Sequence, residues 1–173
     1  MAINDWWGDA PEERYWMIAP SRGVVGDALL APKADDERRF EWSHELVAYT
    51  EPGDTLFVWD RTLAQPGFGG WGRVLGPLGE ETHERDGEDL PHWRMPVSDT
   101  LRLAKPISLA SLRRIGGEIV DIRNRLEREI DGPIYFPFIG EADTLVPAPA
   151  YIAKIPRDLV ALLSSRFGFE FVL

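Results

Sequence analysis

The stretch GDTLFVWDRTLAQPGFGGWGRV, residues 53 to 74, decides the fold. Two apolar segments flank a loop that is rich in glycine and bordered by large aromatic residues. Glu51-Pro52-Gly53-Asp54 reads as a turn, because proline presets φ and glycine accepts a positive one. A strand is expected over 55 to 59, where alternation sends Leu56 and Val58 to one face and Phe57 and Trp59 to the other. A second strand is expected over 71 to 75, with glycines that permit bulges or close backbone approach. The pair reads either as a long hairpin or as two walls, Trp59 and Trp71, of a pocket for a flat ligand.

Outward from this hairpin, RYWMIAP at 14 to 20 reads as a first strand stopped by Pro20. Residues 21 to 44 form a long connection with the charged cluster KADDERRFEWSH, and connections of that length in small domains are often functional. The acidic run GEETHERDGEDLPH at 79 to 92 reads as a solvated hairpin tip, and HWRMPVSDTLRLAKPISL as an extended segment bent at Pro96 and Pro106. Ser108 is placed to cap a short helix ending near Ile115, where Gly116 and Gly117 interrupt it. Ile119, Ile122, Leu126 and Ile130 then recur at helical spacing. GPIYFPFIG reads as a short extended arm, and IPRDLVALLSSRFG as a closing helix with Pro156 near its first turn and Gly168 past its end. Strands and helices do not alternate as a doubly wound sheet requires. The order predicts an α+β domain over 14–173, a small mixed β-barrel flanked by helices, after a polar lead-in at 1–13.

Composition narrows the chemistry. The 173 residues suit one domain with one substantial core. There is no cysteine, so disulfides, thiolate catalysis and cysteine-based metal sites are excluded. MAINDWWGDAPEERYW has neither the basic start nor the apolar run of a signal peptide, and no segment has the roughly 20 apolar residues of a membrane span. A cytoplasmic protein without a membrane partner is expected. The net charge of −10 repels polyphosphates at long range, although a local basic strip can survive on an acidic protein.

Familiar catalytic arrangements are missing from the pattern. His44, His83 and His92 lack ligand-like spacing, and no phosphate-binding GxxxxGK[ST] or nucleophile-bearing GxSxG occurs. GFGGWG lacks the strand–turn–helix context of a dinucleotide fingerprint. Ser43-His44-Glu45 is contiguous, and neighbouring side chains rarely converge as a triad. The carboxylates at 35 to 37 and at Asp60 lack the spacing of a magnesium-dependent nuclease. No catalytic residue, metal ligand or cofactor is assigned.

Tryptophan is the remaining signal. There are seven, and Trp16, Trp42, Trp59 and Trp71 border the loops described above. Indoles are large and carry an N–H that wants a partner, so a core of this size leaves some rings at the surface. Flat bases stack on such rings, and flipped bases are held against them while their edges are read. Trp16, inside the first strand, reads as core, whereas Trp42 lies in a polar loop between charges. Arg22, Lys33, Arg38 and Arg39 flank Trp42 in the long connection and are the candidate phosphate contacts. The arginines between 113 and 128 alternate with carboxylates at i,i+4 spacing, which a salt-laced solvent face explains as well as phosphate binding.

YWMIAP, PGDTLFVWD followed by GGWGRVLG, HWRMPV, and PISLASL with KIPRDLVALL resemble, in that order, the EVE domain. That family belongs to the PUA-like group of small β-barrels and is related to the YTH readers of methylated adenine in RNA. The resemblance spans about residues 14 to 165 and rests on the order of short motifs. It implies a non-catalytic module whose aromatic pocket takes up a modified base. By position the pocket falls on Trp42, Trp59, Asp60, Phe68 and Trp71. Asp60 would accept a hydrogen bond from an exocyclic amine such as cytosine N4. The implied partner is nucleic acid carrying a modified base, with DNA bearing 5-methylcytosine or 5-hydroxymethylcytosine ahead of RNA. Bacterial relatives are often restriction-associated, which implies a nuclease or other effector subunit. MIAPSRG departs from the family's usual first-strand ending, and the insert RRIGGEIVDIRNRLEREI is less typical. The readings that compete are a metal-dependent nuclease or hydrolase, and a protein-interaction domain that uses its aromatic surface.

Overall fold

The computed structural model describes residues 2–34 and 40–168. Its strands are β1 (Tyr15–Ile18), β2 (Ala28–Pro32), β3 (Thr55–Asp60), β4 (Gly67–Arg73), β5 (Gly79–Arg85), β6 (Glu88–Pro96), β7 (Leu101–Ser108), β8 (Phe138–Ile139), β9 (Val146–Pro147) and β10 (Ile152–Ile155). The helices are α1 (Trp42–Glu45), α2 (Leu109–Arg114), α3 (Gly116–Ile130) and α4 (Arg157–Phe167). A 3₁₀ turn at Leu46–Tyr49 continues α1.

The expected barrel does not form. Among the described residues the strands make three open sheets, ordered β10-β1-β3-β4-β7, β2-β6-β5 and β8-β9. β1 runs parallel to β3 and antiparallel to β10, so the large sheet is mixed in direction but not closed. Its edges, β10 and β7, stay apart, and the chain leaves β4 to build a second sheet. A single bridge, Val74 to Val97, links the two sheets' ends. Pro32, on the edge strand β2, lacks the N–H that further pairing there would need.

The two sheet faces bury different cores. Phe57, Trp59, Phe68 and Ile107 pack under α2, α3 and α4 against Ile119, Phe138 and Leu159. Trp16, Ile18, Leu56 and Val58 turn the other way and meet Leu29, Leu46 and Met95. The alternation expected for β3 therefore serves both faces, and each of its six residues is buried. β2, inside the long connection, completes the second layer by pairing with β6. The acidic run at 79 to 92 forms a true hairpin, turning at Asp86-Gly87 with both residues at positive φ. Ser108 caps α2, its Oγ accepting from the Ser111 N–H at 3.2 Å. The lead-in packs onto the domain, with Trp7 buried against Trp16.

Candidate functional site

The tryptophan and phenylalanine side chains singled out by sequence do not share one pocket. Trp59, Phe68 and Phe138 form a cluster of edge-to-face rings with centroids 5.3 to 6.0 Å apart. All three are buried in the helix-covered core. Trp71 is half-buried on the same face, across from Phe57, with the Arg73 guanidinium 5.6 Å from its ring centre. Trp42 lies on the opposite side of the large sheet, in the second core.

Trp42 opens α1, whose first turn closes when the His44 and Glu45 N–H groups donate to the Glu41 carbonyl. Its ring sits 5.3 Å from Tyr135, tilted by 38°. Tyr135 adopts φ +53, a left-handed conformation that is rare and costly for an aromatic residue. Its surroundings hold it there. The Tyr135 hydroxyl accepts from the Asn4 N–H at 2.8 Å, its carbonyl accepts from the Lys154 N–H at 2.9 Å, and Trp7 packs edge-on at 6.0 Å. Trp42 and Tyr135 line a cleft of about 790 Å³ with Phe40, Glu41, Ile3 and Pro133. The Glu41 carboxylate, at its rim, accepts from the Ser43 hydroxyl at 3.1 Å. The cleft thus offers aromatic faces and one acidic acceptor, a combination suited to a flat ligand with an amine.

Asp60 occupies a separate corner at the end of β3. Its Oδ1 accepts from the Thr62 N–H at 2.8 Å and the Thr62 hydroxyl at 2.6 Å. Arg22 is exposed in the turn after β1. Lys33 is engaged, paired with Glu80 and 4.1 Å above the Trp93 ring. Arg38 and Arg39 lie outside the described residues.

Behind the Tyr135 cleft, Lys154 is fully buried among tryptophans, its Nζ 5.1 to 5.7 Å from the ring centres of Trp6, Trp7 and Trp16. It donates to the carbonyls of Tyr15 and Ile155, and Glu13 lies 3.7 Å away. Burial pulls its pKa down to about 8, against the opposing field of Glu13. Burial also raises Glu13. Among the described residues no group of three or more histidine, aspartate or glutamate side chains is placed to hold a metal ion.

The sequence singles out Trp42 but carries no sign of Tyr135, the ring beside it. Tyr135 comes from the arm GPIYFPFIG, whose only local signal is the pair of prolines that fixes its path. The wall supplied by Ala2, Ile3 and Asn4 had no signal, since a polar lead-in rarely reads as part of a site.

No protein-family model matches the chain. No curated protein matches it either. Solved structures share its fold. A Pseudomonas putida structural-genomics protein superposes with TM-score 0.52 at 14% identity, over 87% of this chain and 97% of its own. The DUF55 domain of human thymocyte nuclear protein 1 superposes with TM-score 0.50 at 9% identity, over 90% and 99%. The human THYN1 protein in complex with 5-methylcytosine-containing DNA gives 0.47 at 10%, over 91% and 99%, too weak a likeness to carry weight. These are likenesses of fold.

Proposed function

We propose that the protein is a non-catalytic module that binds a modified nucleobase in nucleic acid, with the base stacked in the Trp42–Tyr135 cleft. The observation that carries this reading is the pairing of two aromatic rings, one held in a costly backbone conformation, beside an acidic rim in an open cleft. A conformation of that cost persists where the surroundings over-determine it, and such residues cluster at ligand sites. A base stacked on an aromatic ring gains about 1 to 3 kcal/mol without regard to sequence. Glu41 supplies the acceptor for an exocyclic amine, so cytosine, with N4–H donors on its pairing edge, suits the rim.

A modified cytosine in DNA, flipped from the duplex, is the ligand we favour. A 5-methyl group in an apolar notch is worth about 0.8 kcal/mol, or roughly fourfold in affinity. Discrimination of that size is modest and suits a reader that acts with an effector subunit, such as a nuclease. The EVE resemblance of the ordered motifs supports the same assignment.

The test is a tryptophan-fluorescence titration with short duplexes that carry cytosine, 5-methylcytosine, 5-hydroxymethylcytosine or N6-methyladenine at one site, alongside single-stranded RNA. Saturable quenching by one modified duplex, lost in Trp42→Ala, is expected. A response equal across all the duplexes, or unchanged in Trp42→Ala, defeats the reading.

A further inference from the structure

We infer that the corner around Asp60, at the free β7 edge of the large sheet, is the track for the phosphodiester backbone of that nucleic acid. The inference rests on the base-binding reading for its partner, but the observations that carry it are independent of the cleft. Three separate pieces of chain meet there. A side chain on Gly23 would place its Cβ 2.3 Å from Asp60 Oδ1, so the turn after β1 lies with its backbone against Asp60. A Cβ on Gly69 would stand 3.0 Å from the Asp60 Cβ, so β4 closes the other side. In β7, Ile107 pairs with Phe68 and Arg102 with Gly70. Residues 103 to 106 therefore bulge out opposite the single residue Gly69.

Exposed cations surround this corner: Arg22 from the turn, Arg61 from the end of β3, and Arg102 and Lys105 from β7. None of these four side chains shares an ion pair or hydrogen bond with a described residue. By contrast Arg14, Arg94, Arg125 and Arg166 are each tied to a carboxylate. On a chain of net charge −10, cations left unneutralised at one place form a local positive strip against a repelling field. Asp60, buried and bound through Oδ1 to Thr62, sets one negative charge against these four cations.

The turn that carries Arg22 is anchored to the second layer. The Ala19 N–H, just before the turn, donates to the Tyr151 carbonyl, and the Tyr151 ring lies 6.2 Å from His44 in α1.

The experiment is the salt dependence of binding to duplex DNA, between 50 and 200 mM salt, for the wild type, Arg61→Ala/Arg102→Ala/Lys105→Ala and the control Arg166→Ala. These side chains are exposed, so the triple variant is expected to fold, and far-UV circular dichroism checks it. Each phosphate contact contributes about 0.9 to the slope of log K against log salt. The triple variant is expected to lose at least two of slope and more than tenfold in affinity at 50 mM, with the ratio between modified and unmodified duplexes kept. An unchanged slope overturns the inference even if the base is bound through Trp42. A reduced slope with no preference for any modified base keeps the track and removes the base-binding reading. Failure of the wild type to bind either duplex DNA or RNA at 50 mM overturns the inference as well.

Discussion

The ammonium of Lys154 lies 5.1 Å from the centre of the Trp16 ring, and both side chains are sealed from solvent. The charge is held by cation–π attraction, two carbonyls and Glu13, against the cost of burial. Burial wins in part, and the folded pKa falls from 10.5 to about 8.

That shift fixes a sign for stability against pH. A lysine depressed in the folded state binds its proton more weakly there than when unfolded. Between about 8 and 10.5 the unfolded chain holds more protons, so stability contributed by this site rises with pH across that window. In Lys154→Met the contribution is absent. Urea unfolding of both proteins at pH 7.5 and pH 10 is expected to show the wild type gaining on the variant, on the order of 2 to 3 kcal/mol. Parallel curves would refute the depressed pKa.

Tyr135 is tied to the lead-in by one hydrogen bond, from the Asn4 N–H to its hydroxyl. Tyr135→Phe keeps the ring and the stacking surface but leaves that N–H without its acceptor. A loss of about 1 kcal/mol in stability is expected. Base affinity is expected to change by less than it does in Trp42→Ala. If Tyr135→Phe abolishes binding while remaining folded, the hydroxyl itself contacts the ligand and the account of the cleft has to be redrawn.

Trp59 and Phe68 offer the reverse case. Both belong to the buried aromatic cluster with Phe138, so truncation opens a cavity in the main core. Trp59→Ala or Phe68→Ala is expected to cost about 3 to 5 kcal/mol by chemical denaturation. Any loss of nucleic-acid binding is expected to follow the unfolded fraction. Binding lost from a variant of unchanged stability would mean that the cluster opens to admit a ligand.

This contrast shows what the sequence could carry. Alternation in LFVWD placed Phe57 and Trp59 together on one face correctly, since period two is a local property of a strand. Which face meets solvent is not local. β3 turned out to be central in a sheet covered on both sides, so an aromatic residue at its end became core. Ser108 and Gly168 were legible because caps act within a few residues. β2 and β10 were not, because ALLAP and IAKI are too short to show a period and are strands only through β6 and β1. Trp42 stood out as an indole in a polar connection, whereas Tyr135 reaches it only through tertiary packing. The barrel was inferred from the order of strands and failed because their order says nothing about whether the edges meet.

Gly116 and Gly117 read alike in sequence, as an interruption between helices, yet the structure treats them oppositely. A Cβ on Gly116 would fall 2.0 Å from the Ala142 carbonyl oxygen, a backbone atom that cannot rotate away. On Gly117 the same atom would meet nothing within 4 Å, and the residue is exposed in the first turn of α3. Gly116→Ala therefore has to displace the 141–144 segment from the helix and is expected to cost about 1 to 3 kcal/mol. Gly117→Ala removes backbone freedom from the unfolded chain at no steric cost and is expected to add up to about 1 kcal/mol. Thermal unfolding of the two variants beside the wild type gives shifts of opposite sign if the approach of α3 to Ala142 is as described. Two shifts of the same sign would mean that the helix start is set by its own sequence and not by that contact.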